Sequence, residues 1–195
     1  LSPPQDKKID TIIINGAECE PYITADHRNM VEEPEKIVFG LKVIMKAVKV
    51  EKGIIAIEEN KLDAISALIE ASKDEPNITV IPLKVKYPQG DEKRLIDATL
   101  NRQVPSGGLP MDVGAIVCNI STTKAIAEAV QMGKPLYERV VTVTGNGIKE
   151  PKNLIVKIGT SFKDVIAQCG GFTEHAPGKI IMGGPMMGIS QFSID

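Results

Sequence analysis

Ile9-Asp10-Thr11-Ile12-Ile13-Ile14-Asn15-Gly16-Ala17-Glu18-Cys19-Glu20-Pro21 decides the reading of the fold. From Ile9 to Ile14 the run is rich in β-branched side chains, and it reads as a buried strand. It stops at Asn15-Gly16, a turn pair, and opens onto Glu18 and Glu20. A buried strand that delivers an amide and two carboxylates at its carboxyl end is the pattern of a site-bearing parallel sheet.

Outward from that strand, helix and strand alternate. Pro34 is expected at the first position of a helix with Ile37, Val38, Leu41, Ile44, Met45 and Val48 on one face. Lys42, Lys46 and Lys49 line its solvated side. A strand over Ile54–Ile57 follows, then a helix capped by Asn60 and carrying Leu62, Ile65, Leu68 and Ile69. Ile78–Val85 is a third strand, with Pro82 marking an irregularity or an edge. Gly90 opens a helix with Leu95, Ile96 and Leu100, Val113–Cys118 is the fourth strand, and Ser121 caps a helix ending near Gly133. The rhythm predicts an α/β fold, a Rossmann-like open, mainly parallel sheet with helices on both faces.

The rhythm changes after Pro135. Val140–Thr144 and Leu154–Ile158 read as short strands around Gly145-Asn146-Gly147. Ser161 caps a short helix that Gly170-Gly171 stops, and Lys179–Met182 is a last strand. This is a small β-β-α-β unit, with a linker near Gly133-Lys134-Pro135. The start, Leu1-Ser2-Pro3-Pro4, lacks Met and residues 191–195 carry no stop signal, so the sequence reads as part of a longer chain.

Composition narrows the function. The 195 residues are 43% hydrophobic and 25% charged, as in a soluble globular protein. A net charge of −2 argues against a nucleic-acid binder, and 4% aromatics without Trp argue against base stacking. Cys19, Cys118 and Cys169 are too scattered for a disulfide framework, a zinc site or an iron–sulfur cluster. The most apolar stretch, Ile37–Val50, is too short and too lysine-rich to span a bilayer. No P-loop, Gly-x-Gly-x-x-Gly or Gly-x-Ser-x-Gly occurs, and His27 and His175 are lone histidines without metal-ligand spacing.

Candidate chemistry lies just after the strands. Asn15, Glu18 and Glu20 offer an amide and two carboxylates for a ring or a sugar hydroxyl; a solvated turn would use the same residues. Tyr87-Pro88-Gln89-Gly90-Asp91-Glu92 brings a glycine and a helix start, which could face an anion or simply be dipole-matched by Asp91 and Glu92. Cys118-Asn119-Ile120-Ser121-Thr122 runs a strand into hydroxyl-rich first-turn positions, suited to a phosphate or to an ordinary cap. Met182-Gly183-Gly184-Pro185-Met186-Met187-Gly188 reads as a surface loop with adaptable methionines.

Taken in order, Asn15–Tyr22, Tyr87–Gly90, Pro105-Ser106-Gly107-Gly108-Leu109-Pro110 and Gly183–Gly188 closely resemble the C subunit of the Rnf electron-transport complex, a relative of the NADH- and FMN-binding subunit of respiratory complex I. The resemblance covers essentially the whole chain. It implies an FMN/NADH-binding α/β domain over 1–134, a β-grasp domain of the soluble-ligand-binding type over 135–190, and a linker over 191–195. It implies that NADH reduces FMN and that electrons leave through 4Fe-4S clusters, in a complex that exchanges electrons between NADH and ferredoxin. By the same resemblance, Asn15, Glu18 and Glu20 line the flavin strand end and Gly90, Asp91 and Glu92 lie near flavin and nicotinamide. Asn119, Ser121 and Thr122 form the turn near the FMN phosphate, and Glu92 is the carboxylate nearest the reactive edge. Ala17 and Cys118 depart from the complex I relatives, which have an acid and an Asn there.

The family's glycine-rich flavin loop would precede Leu1 and its cysteine-rich segment would follow Asp195. The chain on its own is therefore expected to fold without FMN, clusters or NADH oxidation. The partners implied are the other subunits of the complex, at the cytoplasmic face of the membrane. The alternative reading is a non-catalytic ligand-binding or subunit-docking module that uses the β-grasp domain, with an exposed apolar patch around Met182–Gly188.

Overall fold

Ile12, Ile13 and Ile14 have no solvent exposure, because the strand they form is covered on both faces. A computed structural model describes residues 3–4, 6–174 and 177–194; His175 lies outside them. The chain divides into two compact units, Leu1–Cys19 with Asn29–Pro135, and Glu20–Arg28 with Leu136–Asp195. The second unit thus takes in a nine-residue segment, Glu20–Arg28, from the turn after the first strand.

In the first unit β1 (Thr11–Gly16), β2 (Lys52–Glu58), β3 (Ile78–Leu83) and β4 (Ala115–Asn119) form a wholly parallel sheet in the order β3-β2-β1-β4. Alternate residues feed two cores. Ile12, Ile14, Ile55, Ile57 and Ile116 pack with Ile37 and Leu41 of α2 (Pro34–Val48) and Leu68 of α3 (Leu62–Ala71). Ile13, Ile54, Ala56 and Ala115 pack on the opposite face with Leu95 and Ile96 of α4 (Glu92–Leu100). Helices therefore cover both faces, as the alternation predicts. Pro34 starts α2, and Pro82 sits on the edge strand β3, where a missing N–H is tolerated.

Two expected caps are corrected. Lys61, not Asn60, precedes α3, and no side chain caps that helix. Ala64, Ile65 and Leu68 form its inward stripe, and Leu62 and Ile69 fall on the flank of that stripe and are exposed. Asn119, not Ser121, caps α5 (Ile120–Met132), because β4 runs straight into the helix and the last strand residue becomes the cap. The helix α1 (Ala25–Glu32) is not legible in the sequence; only Asn29 and Met30 of it are buried, so it has no apolar stripe.

In the second unit β5 (Glu138–Val143) pairs antiparallel with β6 (Lys152–Lys157), α6 (Phe162–Gln168) follows, and β7 (Ile180–Met182) pairs with β8 (Ile189–Gln191). Ser161 caps α6 by accepting the Asp164 N–H at 3.1 Å. The Glu20–Arg28 segment is tied to the β5–β6 hairpin. The Thr24 N–H donates to Thr142 Oγ1 at 3.0 Å, and Asn153 Nδ2 donates to Thr24 Oγ1 at 2.9 Å.

Candidate functional site

Asn15 is the last residue but one of β1, and its side chain joins two loops. Its Nδ2 donates to the Gly90 carbonyl at 2.8 Å, and its Oδ1 accepts the Ala17 N–H at 3.1 Å. The Gly90 N–H donates to Cys19 Sγ at 3.4 Å. A Cβ on Gly90 would lie 2.5 Å from the Ala17 carbonyl oxygen, so glycine serves the contact of these two backbones. Beyond Gly90, Asp91 caps α4 by accepting the Arg94 N–H at 3.1 Å. Glu92 is the first residue of that helix and is exposed.

Asn119 is the Cα partner of Asn15 across the β1–β4 pair. Its Oδ1 accepts the N–H of Ser121 at 2.8 Å and that of Thr122 at 3.3 Å. Ser121 Oγ accepts from Asn29 Nδ2 at 2.9 Å, and Asn29 Oδ1 accepts from Lys124 at 3.0 Å. Glu33 binds both Lys124 and Lys36, Lys36 reaches Glu128 at 3.0 Å, and Lys134 reaches Glu128 at 3.0 Å. Burial pushes the Glu33 and Glu128 carboxyls up, but these lysines outweigh it and hold both below the usual range. The network fixes the first turn of α5 against α2.

The structure thus brings Asn15, Gly90 and Asn119 together at the carboxyl end of the sheet. Strand order reverses between β1 and β4, and ligands of open parallel sheets bind in the crevice at that reversal. Glu18 also belongs to this end, but it is turned inward; its side chain is 5% exposed and its Oε2 lies 3.8 Å from Lys61 Nζ.

Three further polar residues here are not among those foreseen. Glu58 and Gln89 are each 2% exposed, and Lys61 is also buried. Burial pushes the Glu58 carboxyl up, opposed by the charge of Lys61 and by the Lys86 N–H that it accepts. Gln89 Oε1 is buried without a hydrogen-bond partner among the described residues. The sequence offered a signal, since Glu58-Glu59-Asn60-Lys61 spans the carboxyl end of β2 just as Asn15–Glu18 spans that of β1.

Glu20 lies in the second unit. Its Oε2 accepts the Met186 N–H at 3.0 Å, and a Cβ on Gly184 would fall 2.1 Å from the same oxygen. Met182, Met186, Met187 and Ile189 in that unit are exposed.

A family model described as the Nuo51 FMN-binding domain matches residues 1–128. The chain belongs to this family. A second, the SLBB domain, matches residues 140–190, over the small antiparallel strands of the second unit. The C subunit of the proton-translocating ferredoxin:NAD(+) oxidoreductase complex of Clostridium ljungdahlii is 55% identical over all of this chain, which covers 42% of that relative. The C subunit of the Na(+)-translocating ferredoxin:NAD(+) oxidoreductase complex of Acetobacterium woodii is 53% identical over all of this chain, which covers 44% of it. The chain therefore spans less than half the length of these relatives, and the resemblance to the C subunit of such complexes holds across all of it.

The same fold occurs in a crystal structure of an NAD+-reducing [NiFe]-hydrogenase in the H2-reduced state. The TM-score is 0.71 at 19% identity, over 85% of this chain and 33% of that one. In this member of the Nuo51 FMN-binding family, the Asn15–Gly90 contact and the Asn119 cap both fall inside the matched span. Among the described residues no helix is long and apolar enough to cross a membrane, and no group of three His, Cys, Asp or Glu could hold a metal ion.

Proposed function

We propose that this chain is the flavin-holding middle of an electron-transfer subunit in an ion-translocating complex, with FMN at the carboxyl ends of β1 and β4 and NADH delivered beside it. The observation that carries the reading is the pairing of Asn15 with Asn119 at the strand-order reversal, with the Gly90 loop bonded to Asn15. The donor set fits a flavin. Buried amides and carboxylates ring the strand ends, and the buried Gln89 Oε1 lacks a partner among the described residues. Bound FMN would accept a hydride and release electrons singly.

The chain's own residues bind and orient. Asn15 fixes the Gly90 loop, and Asp91 caps α4 so that Glu92 stands at the helix start. Glu92 would orient the nicotinamide and place negative charge near the flavin edge. Asn119 shapes the α5 start, where Ser121 and Thr122 would meet the phosphate. Glu18 keeps its carboxylate at the same end beside Lys61. Glu20 holds the Gly184–Met186 loop through one carboxylate oxygen. The scattered Cys19, Cys118 and Cys169 leave 4Fe-4S ligation to other parts of a longer subunit, one that sits peripherally on the cytoplasmic side of the membrane. In the full-length subunit, Glu92→Gln should change NADH oxidation kinetics or the flavin potential while FMN stays bound. If both stay at their wild-type values, Glu92 has no such role.

A second reading is favoured by the exposed Met182, Met186, Met187 and Ile189. They would dock a neighbouring subunit of the same complex. Met187→Glu should then detach the subunit from the complex and leave its FMN content unchanged.

A further inference from the structure

Asn29 is 3% exposed and is one of the two buried residues of α1. The other, Met30, joins the hydrophobic core and serves the packing of the helix. Asn29 supplies polar contacts instead, and its amide is used at both ends. Lys124 Nζ donates to its Oδ1 at 3.0 Å, and its Nδ2 donates to Ser121 Oγ at 2.9 Å. Lys124 also pairs with the Glu33 carboxylate.

The polarity of this chain of contacts is forced. A carboxylate accepts and an ammonium can only donate, so the oxygen of the Asn29 amide faces Lys124 and its nitrogen faces Ser121. Ser121 Oγ therefore meets α1 as an acceptor. The hydroxyl hydrogen is then the part of Ser121 that an acceptor-only group, such as a phosphate, engages. The backbone of this turn offers less, because the N–H groups of Ser121 and Thr122 both go to Asn119 Oδ1. Recognition of a phosphate at the start of α5 falls to side-chain hydroxyls, and Asn29 sets the one on Ser121.

We propose that Asn29 is a positioning residue for the phosphate of FMN, holding Ser121 Oγ so that the site prefers FMN to riboflavin, which has the same ring without the phosphate. The inference rests on the flavin reading above. The test uses Asn29→Ala, Asn29→Asp, Ser121→Ala and the Asn29→Ala/Ser121→Ala pair in the full-length subunit. FMN affinity, riboflavin affinity and thermal midpoint are measured for each.

Asn29→Ala and Ser121→Ala should each weaken FMN about tenfold and leave riboflavin affinity at its wild-type value. The pair should weaken FMN no further than Ser121→Ala alone, since Asn29 acts through that hydroxyl. Asn29→Asp keeps the shape and the acceptor for Lys124 but cannot donate to Ser121. It should hold the thermal midpoint and still weaken FMN selectively. Equal losses of FMN and riboflavin affinity in the Asn29 variants would overturn the proposal in favour of a purely structural amide. So would wild-type FMN affinity in both Asn29 variants, or additive losses in the pair. Equal affinity of the wild-type subunit for FMN and riboflavin would contradict phosphate recognition while leaving the flavin site standing. A wild-type subunit that takes up neither would overturn the flavin reading itself, and this inference with it.

Discussion

Asn15 and Asn119 are register partners on adjacent parallel strands, so their side chains leave the same face of the sheet at the point where strand order reverses. That face is also the one α4 covers, through Leu95 and Ile96. One amide bonds the loop leading into α4 and the other caps α5, so the two helix starts are referenced to one pair of side chains.

Gly90→Ala tests the first of these references. The new Cβ would lie 2.5 Å from the Ala17 carbonyl oxygen and 3.1 Å from Cys19 Sγ. Backbone must move to admit it, so a loss of about 1–3 kcal/mol is expected in urea unfolding. Asn15→Ala should cost about 1–2 kcal/mol by removing the bonds to Gly90 and Ala17. Wild-type unfolding midpoints for both would mean that the loop is held by something else.

Gly184→Ala acts in the second unit. Its Cβ would fall 2.1 Å from Glu20 Oε2, which must then release the Met186 N–H. Amide exchange at Met186 should quicken about tenfold, matching the loss of one hydrogen bond of roughly 1–1.5 kcal/mol. Glu20→Gln keeps a carbonyl acceptor and should leave that exchange near wild type. Fast exchange at Met186 in the unaltered protein would contradict the latch.

Glu33 and Glu58 give pH dependences of opposite sign. Lys124 and Lys36 hold Glu33 below its ordinary value of 4.5 despite burial, so its contribution is full above 4.5 and is lost as pH falls through the lowered folded value. Glu33→Gln should therefore cost about 1–2 kcal/mol at pH 7 and progressively less at acid pH. Burial raises Glu58, so the folded state holds its proton longer than the unfolded chain and stability falls as pH rises from 4.5 through the raised value. Glu58→Gln, which keeps an acceptor for the Lys86 N–H, should flatten that fall. Urea midpoints across pH 3–8 (about that range) for both variants check the two signs.

The sheet was legible because Ile12–Ile14, Ile54–Ile57 and Ala115–Cys118 are apolar on both faces and alternate with helical patterns, as in a doubly covered parallel sheet. Pro82 left an irregularity or an edge open for β3, and the strand order decides for the edge. The strand β8 was not, being three residues that need β7 to exist. Asn15, Gly90 and Asn119 could be found by looking just past the strands. Glu58, Lys61 and Gln89 needed burial to stand out, because charged residues in a turn read as solvated until the fold encloses them. The membership of Glu20–Arg28 in the second unit depends on Thr24, Thr142 and Asn153 meeting across more than a hundred residues, which no local pattern encodes.

Titration of FMN into the full-length subunit, followed by the change in flavin absorption, tests the strand-end flavin site most directly. The site predicts saturable one-to-one uptake that Asn119→Leu weakens at least about tenfold, by uncapping the α5 start, while the Met187→Glu change in the second unit leaves it alone. No uptake by the wild-type subunit, or equal affinity in wild type and Asn119→Leu, would contradict the account.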